Sequence, residues 1–170
     1  MRILKTLVAT VIVSSALSLP ALAQIPNQYG APIGVEAAKK AAQAALAESR
    51  KNGWTVAAAV VDAGGALVYF ERIDGTQSGS SEVAQAKARS AALFKRPTKA
   101  FEDALAGGKQ GVLSLPGAMP LDGGIPIVVG DKIVGAIGVS GATSQQDGQC
   151  ATAGVAAVEG KPAAKPVVKK

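Results

Sequence analysis

The chain has no histidine and only one cysteine, Cys150, among its 170 residues. The first absence excludes a Ser-His-Asp triad and any histidine-bearing zinc site. The second excludes a thiolate cluster for zinc or iron–sulfur and an internal disulfide, so stability must come from packing or association. Beyond the first two dozen residues no apolar run approaches the ~20 residues that a membrane-spanning helix needs. Paired carboxylates at a spacing that would defend a glycosidase-like mechanism are also missing.

The amino terminus carries what the rest lacks. Arg2 and Lys5 give a positive start, Leu7 to Leu19 an apolar stretch broken by Ser14, Ser15 and Ser18, and Ala21-Leu22-Ala23 a small-x-small cleavage pattern. This reads as a secretory signal peptide over residues 1–23, which predicts a periplasmic or secreted protein starting at Gln24.

The excess of basic residues, 18 against 12 acidic, is concentrated at the ends. Between Gln24 and Val158 there are 12 basic and 11 acidic side chains, so the domain expected over residues 24–158 is nearly neutral and offers no argument for nucleic-acid binding. The tail over residues 159–170, EGKPAAKPVVKK, joins prolines to lysines and has no apolar face worth burying, which predicts a flexible basic end.

Period and punctuation order the domain. Val35 to Arg50 repeats apolar residues at helical spacing and stops at Asn52-Gly53. Trp54 to Val61 and Ala66 to Arg72 read as strands joined through Asp62-Ala63-Gly64-Gly65, with Asp62 as a turn residue. Glu82 to Leu93 predicts a second helix and Pro97 to Leu105 a third, with proline in its first turn. Lys109 to Gly124 is loop-like, with Val112, Leu113 and Leu115 expected under the core. A second hairpin joins Ile125 to Val129 and Ile133 to Val139 through Gly130-Asp131, and Thr143 or Ser144 caps a last helix to Val158. Two hairpins of nearly all-apolar strands need cover on both faces, which predicts a three-layer α/β/α sandwich around a mainly antiparallel sheet.

Few residues suggest chemistry. Cys150 reads as a buried, inert thiol in the last helix. The glycines around Gly123 and from Gly135 to Gly141 match no phosphate loop and read as close backbone packing. Lys87, Arg89, Lys95, Arg96 and Lys99 cluster on the second helix and the Pro97-Thr98 turn, several of them expected in solvent. Cations beside a helix start at Arg96, Pro97 and Thr98 also make a natural seat for a carboxylate. Met119 lies in a proline-bounded loop, and Asp122 next to it reads first as a turn cap and second as a residue that orients a ligand.

The segments AQAKARSAALFKRPTKAFEDAL, from Ala84, and LPGAMPLDGGIPIVVGDKIVGAIGVSGATSQQD, from Leu115, stand in an order similar to that of the GlcG/HbpS-type haem-binding family, whose relatives include corrinoid-associated domains. Lys87 stands in the family's A-x-x-K-A helix pattern, Ala84 to Ala88. The resemblance covers Ile33 to Val158 and implies a profilin-like fold and haem or a related tetrapyrrole as cofactor. Without histidine, the resemblance implies that the iron is held by Met119, Tyr69, Tyr29, Lys87 or a hydroxyl such as Thr98, or else that the macrocycle is held mainly by apolar burial and propionate contacts, with Lys87 and Arg96 as the cations.

Three functions follow as expectations. The first is an exported small-ligand-binding protein for haem or a related tetrapyrrole. The second is an enzyme or accessory acting on small organic acids, which the absence of a nucleophile–base pair disfavours. The third is a homo-oligomeric redox- or haem-sensing protein that contacts a membrane sensor.

Overall fold

The computed structural model describes residues 28–159. The signal-peptide reading, and the tail reading apart from Glu159, lie outside the described residues. In chain order the elements are α1 (Val35–Lys51), β1 (Ala57–Asp62), β2 (Leu67–Arg72), α2 (Ser80–Phe94), α3 (Lys99–Ala106), a short 3₁₀ helix (Gln110–Ser114), β3 (Gly124–Val129), β4 (Lys132–Ser140) and α4 (Ser144–Val158). No helix among the described residues is long and apolar enough to cross a membrane.

The turns form where local chemistry directs them. The Asp62 Oδ1 accepts the amides of Gly64 at 2.8 Å and Ala66 at 2.9 Å, and Gly65 takes a φ of +85°, so Asp62 is the turn residue expected of it. Gly130 and Asp131 both have positive φ, 55° and 61°, the pair of left-handed residues that a tight hairpin turn requires. Thr143 begins α4 with a reciprocal capping box to Gln146.

The four strands pair antiparallel throughout, in the order β2-β1-β4-β3. Alternation along β1 sends Ala58 and Val60 to one face and Ala57, Ala59 and Val61 to the other. On the first face α1 and α4 close a core that includes Leu46, Val56, Val60, Ile137, Val139 and Val155. On the second, α2 lays Ala84, Ala88, Ala91 and Ala92 on Ala57, Ala59 and Ala136. The result is the expected three-layer α/β/α sandwich of profilin-like type.

One expectation about the core is corrected. Leu113 is 65% exposed and Leu115 41%, and Val112 is only half-buried, so these residues do not tuck beneath the sheet. Both faces of the sheet are already covered by helices, and the 3₁₀ segment runs outside them.

Candidate functional site

The chemistry-bearing residues converge where the middle of α2, the end of β4, the start of α4 and the loop before β3 meet. Lys87 lies on the alanine stripe of α2 and is 1% exposed. Its ammonium donates to the Asp147 Oδ2 at 2.8 Å and to the Val139 carbonyl at 3.0 Å. The other carboxylate oxygen of Asp147 accepts the Ala142 amide at 3.1 Å. A buried charge is tolerated only when paired and hydrogen-bonded, and here one cation ties three elements together. Burial pushes the Asp147 carboxyl up, against the pull of the adjacent ammonium.

This corrects the reading of Lys87 as an open seat for an anion or an iron ligand. Its ammonium donates to Asp147 and Val139, so its charge is paired inside the protein.

The glycines of this junction serve space. A Cβ on Gly123 would stand 2.9 Å from the Lys87 Nζ and 2.7 Å from the Val139 carbonyl oxygen, and one on Gly124 would stand 2.4 Å from the Lys87 carbonyl oxygen. A Cβ on Gly148 would fall 2.4 Å from the Asp122 Oδ2. Asp122 therefore rests against the second turn of α4. Its Oδ1 accepts the Gly123 amide at 2.7 Å, and its own amide donates to the Glu102 carboxylate at 2.7 Å. The first reading of Asp122, as a turn cap, stands. Burial raises its carboxyl, the Gly123 amide draws it down, and the nearby Glu102 raises it again.

Thr98 is fully buried. Its hydroxyl accepts the Gly124 amide at 2.9 Å, and its own amide donates to the Gly124 carbonyl at 2.9 Å. The first turn of α3 is thus closed by β3, with the Thr98 hydroxyl and amide both engaged by Gly124. Arg96 does remain exposed, with its guanidinium over the Phe101 ring at 5.5 Å and its Nε donating to the Phe94 carbonyl at 3.2 Å.

Met119 is half-buried, its amide donating to the Oγ of Ser90 on α2 at 3.0 Å. Its thioether keeps no hydrogen-bonding duty and stands in the loop that carries the exposed Leu115 and Leu121. Tyr69 is not brought to this site. It packs on the α1/α4 side of the sheet, where its hydroxyl donates to Glu71 at 2.8 Å and Glu71 raises the phenol above its ordinary range. Tyr29 directs its hydroxyl at the Ala92 carbonyl, 3.0 Å away, and carries Lys95 over its ring.

Of the residues expected to bind a ligand, the structure gathers Lys87, Thr98, Met119 and Asp122, leaves Arg96 exposed at the turn before α3 and sends Tyr69 elsewhere. Asp147, Glu102 and Gly148 were missed. A signal existed for the buried pair: Ala84, Lys87, Ala88 and Ala91 share the i, i+3, i+4, i+7 stripe that packs inward, so a lysine there demands an acid. Among the described residues no group of acids and Cys150 could hold a metal ion.

The tetrapyrrole reading is tested by the donors that survive. Lys87, Thr98, Tyr69 and Tyr29 are committed to protein groups, whereas Met119 engages only its backbone amide and Arg96 is exposed with its Nε on the Phe94 carbonyl.

Known proteins are similar to this chain in sequence and fold. Protein GlcG of Escherichia coli strain K12 is 41% identical over 93 residues, 55% of this chain and 69% of that protein. A solved structure of a double mutant of Streptomyces reticuli HbpS is 32% identical, with a TM-score of 0.71 over 89% of this chain and 100% of that one. The Klebsiella pneumoniae protein ORFY is 27% identical, with a TM-score of 0.72 over 77% of this chain and 93% of that one. A family model described as haem degrading protein HbpS-like matches residues 33–156. With its sheet, its helical layers and its sequence from Ile33 onward all matched, the chain belongs to the HbpS-like family.

Proposed function

We propose that this protein is an exported small-ligand-binding protein that takes haem or a related tetrapyrrole without histidine ligation. The observation that carries the reading is the surface around Met119. A half-buried thioether lies in a loop whose Leu115 and Leu121 are each 41% exposed and which follows Leu113, 65% exposed. Arg96, exposed at the start of the α3 segment, supplies a cation for a carboxylate. An apolar surface of this kind suits a flat macrocycle, and a thioether is a recognised haem-iron donor. Membership in the HbpS-like family supports the ligand class.

In this reading Met119 binds, Arg96 orients, and the buried Lys87–Asp147 pair holds the α2–α4 junction that supports the loop. The protein acts beyond the cytoplasm as a homo-oligomer, and a membrane-bound sensor is the partner class to test.

Haemin titration followed at the Soret band is the test. Saturation at a fixed haem-to-subunit ratio is expected, with Met119→Ala weakening binding by at least about tenfold, since even the outer-shell partners of a metal site are worth that much. Arg96→Ala should weaken it less, and Thr98→Val should leave it unchanged. A shallow, unsaturable response removes the haem reading, and an unaltered titration in Met119→Ala removes the site.

A further inference from the structure

The two edges of the sheet are treated in opposite ways. Antiparallel pairing alternates residues whose backbone groups point at the neighbouring strand with residues whose groups point away. On β3 the pairing of Gly123 with Val139 sets that alternation, so Gly124 and Pro126 face outward, and the irregularity after Ile127 turns Val128 outward as well. Each of these is closed. The Gly124 amide donates to the Thr98 Oγ1 at 2.9 Å, Pro126 has no amide proton, and the Val128 amide donates to the Glu159 carboxylate at 2.7 Å. Such devices keep a strand edge from pairing with another chain.

On β2 the Ile73 amide donates to Val56, so Glu71 and Tyr69 face β1, while Phe70 and Arg72 present their backbone groups outward. No described residue accepts those two amides, and no proline interrupts the strand. Leu67, at the head of the strand, is 44% exposed, and Leu93 of α2, beside the Gly65 turn, is 51% exposed.

We infer that the β2 edge pairs with β2 of a second copy of this chain, antiparallel about a two-fold axis through Phe70, joining two sheets into one. A two-fold contact presents one strand to itself, so it needs a self-complementary sequence. With the axis at Phe70, ring meets ring and the Tyr69–Glu71 pair of each copy lies in reverse order against the other's, so that no carboxylate faces a carboxylate. An axis at Glu71 would set two carboxylates against each other, and one at Arg72 two guanidinium groups. The inference gives a surface to the oligomer in the function proposed above, rests on that part of it, and is independent of the ligand.

Hydrogen exchange of the full chain at high and low protein concentration, beside sedimentation, tests it. The expected result is a concentration-dependent assembly in which the Phe70 and Arg72 amides slow by at least tenfold while that of Leu113 does not. Arg72→Pro removes an outward amide and leaves the β1 pairing intact, so it should melt normally and fail to assemble. Assembly with both amides still fast overturns the β2 interface and leaves the oligomer reading standing. A monomer at every concentration overturns both. Should the proline variant not fold, exchange in the unaltered chain decides alone.

Discussion

The two faces of the sheet are packed by different means. On the α1/α4 face, branched side chains fill the space: Leu46, Val56, Val60, Ile137 and Val139 are all fully buried. On the α2 face backbones nearly touch, through alanines and Gly138, where a Cβ would lie 2.0 Å from the Ala84 carbonyl oxygen and 2.5 Å from the Ala88 amide nitrogen. A face packed by side chains yields when one is trimmed. A face packed by backbones has nothing that can rotate aside. That rigidity brings Lys87 within reach of β4 and α4, so the close-packed face is also the one that builds the candidate site.

Changes on each face should therefore differ in size. Gly138→Val drives a side chain into the α2 backbone and should cost more than about 4 kcal/mol in urea unfolding, or prevent folding. Should it cost under 1 kcal/mol, α2 would not lie as close as described.

Asp147→Asn comes next. It strands the Lys87 ammonium in the interior and should cost about 3 to 5 kcal/mol, whereas Lys87→Met combined with Asp147→Leu should recover most of that loss. A double variant as unstable as the single one would mean that the pair's contacts with Val139 and Ala142 matter more than its charges.

On the side-chain-packed face, Leu46→Ala leaves a cavity beneath α1 and should cost about 2 to 4 kcal/mol, with partial collapse of the neighbouring valines. The same unfolding measurement ranks it against Gly138→Val.

The smallest effect is alkaline. Burial pushes the Cys150 thiol from 9.0 up to about 11. Between those values the unfolded chain loses the thiol proton first, so stability falls as pH rises from 9.0 toward 11. Cys150→Ala should flatten that slope, and the folded protein should resist alkylation at pH 8 until denaturant is added. Rapid labelling without denaturant would place the thiol outside the core.

Much of the fold was legible because helices and strands announce themselves by period. The boundaries expected for α1 and α4 fall within one residue of those observed, and the second helix was expected at Glu82 to Leu93 and runs Ser80–Phe94. Trp54 to Val56 extended the apolar run of β1 without joining the strand, since the Trp54 amide turns back to Ser49. Leu113 and Leu115 were placed inside because an apolar residue does not reveal whether a vacancy exists for it.

The site was less legible. Met119 and Asp122 stand out from a constrained loop and Lys87 from its helix pattern, but the acid that pairs with Lys87 lies 60 positions along the chain. Glu159 read as part of a solvated tail, yet its carboxylate holds the β3 edge, and burial raises it.

By itself the sequence determined the order of elements, their turns and the exclusion of histidine chemistry, because these depend on residue type and on spacings of a few residues. Only the tertiary structure decided which charges are spent inside, which donors remain for a ligand and which sheet edge is open. Those outcomes depend on distances between segments far apart in the chain, and local period carries no information about them.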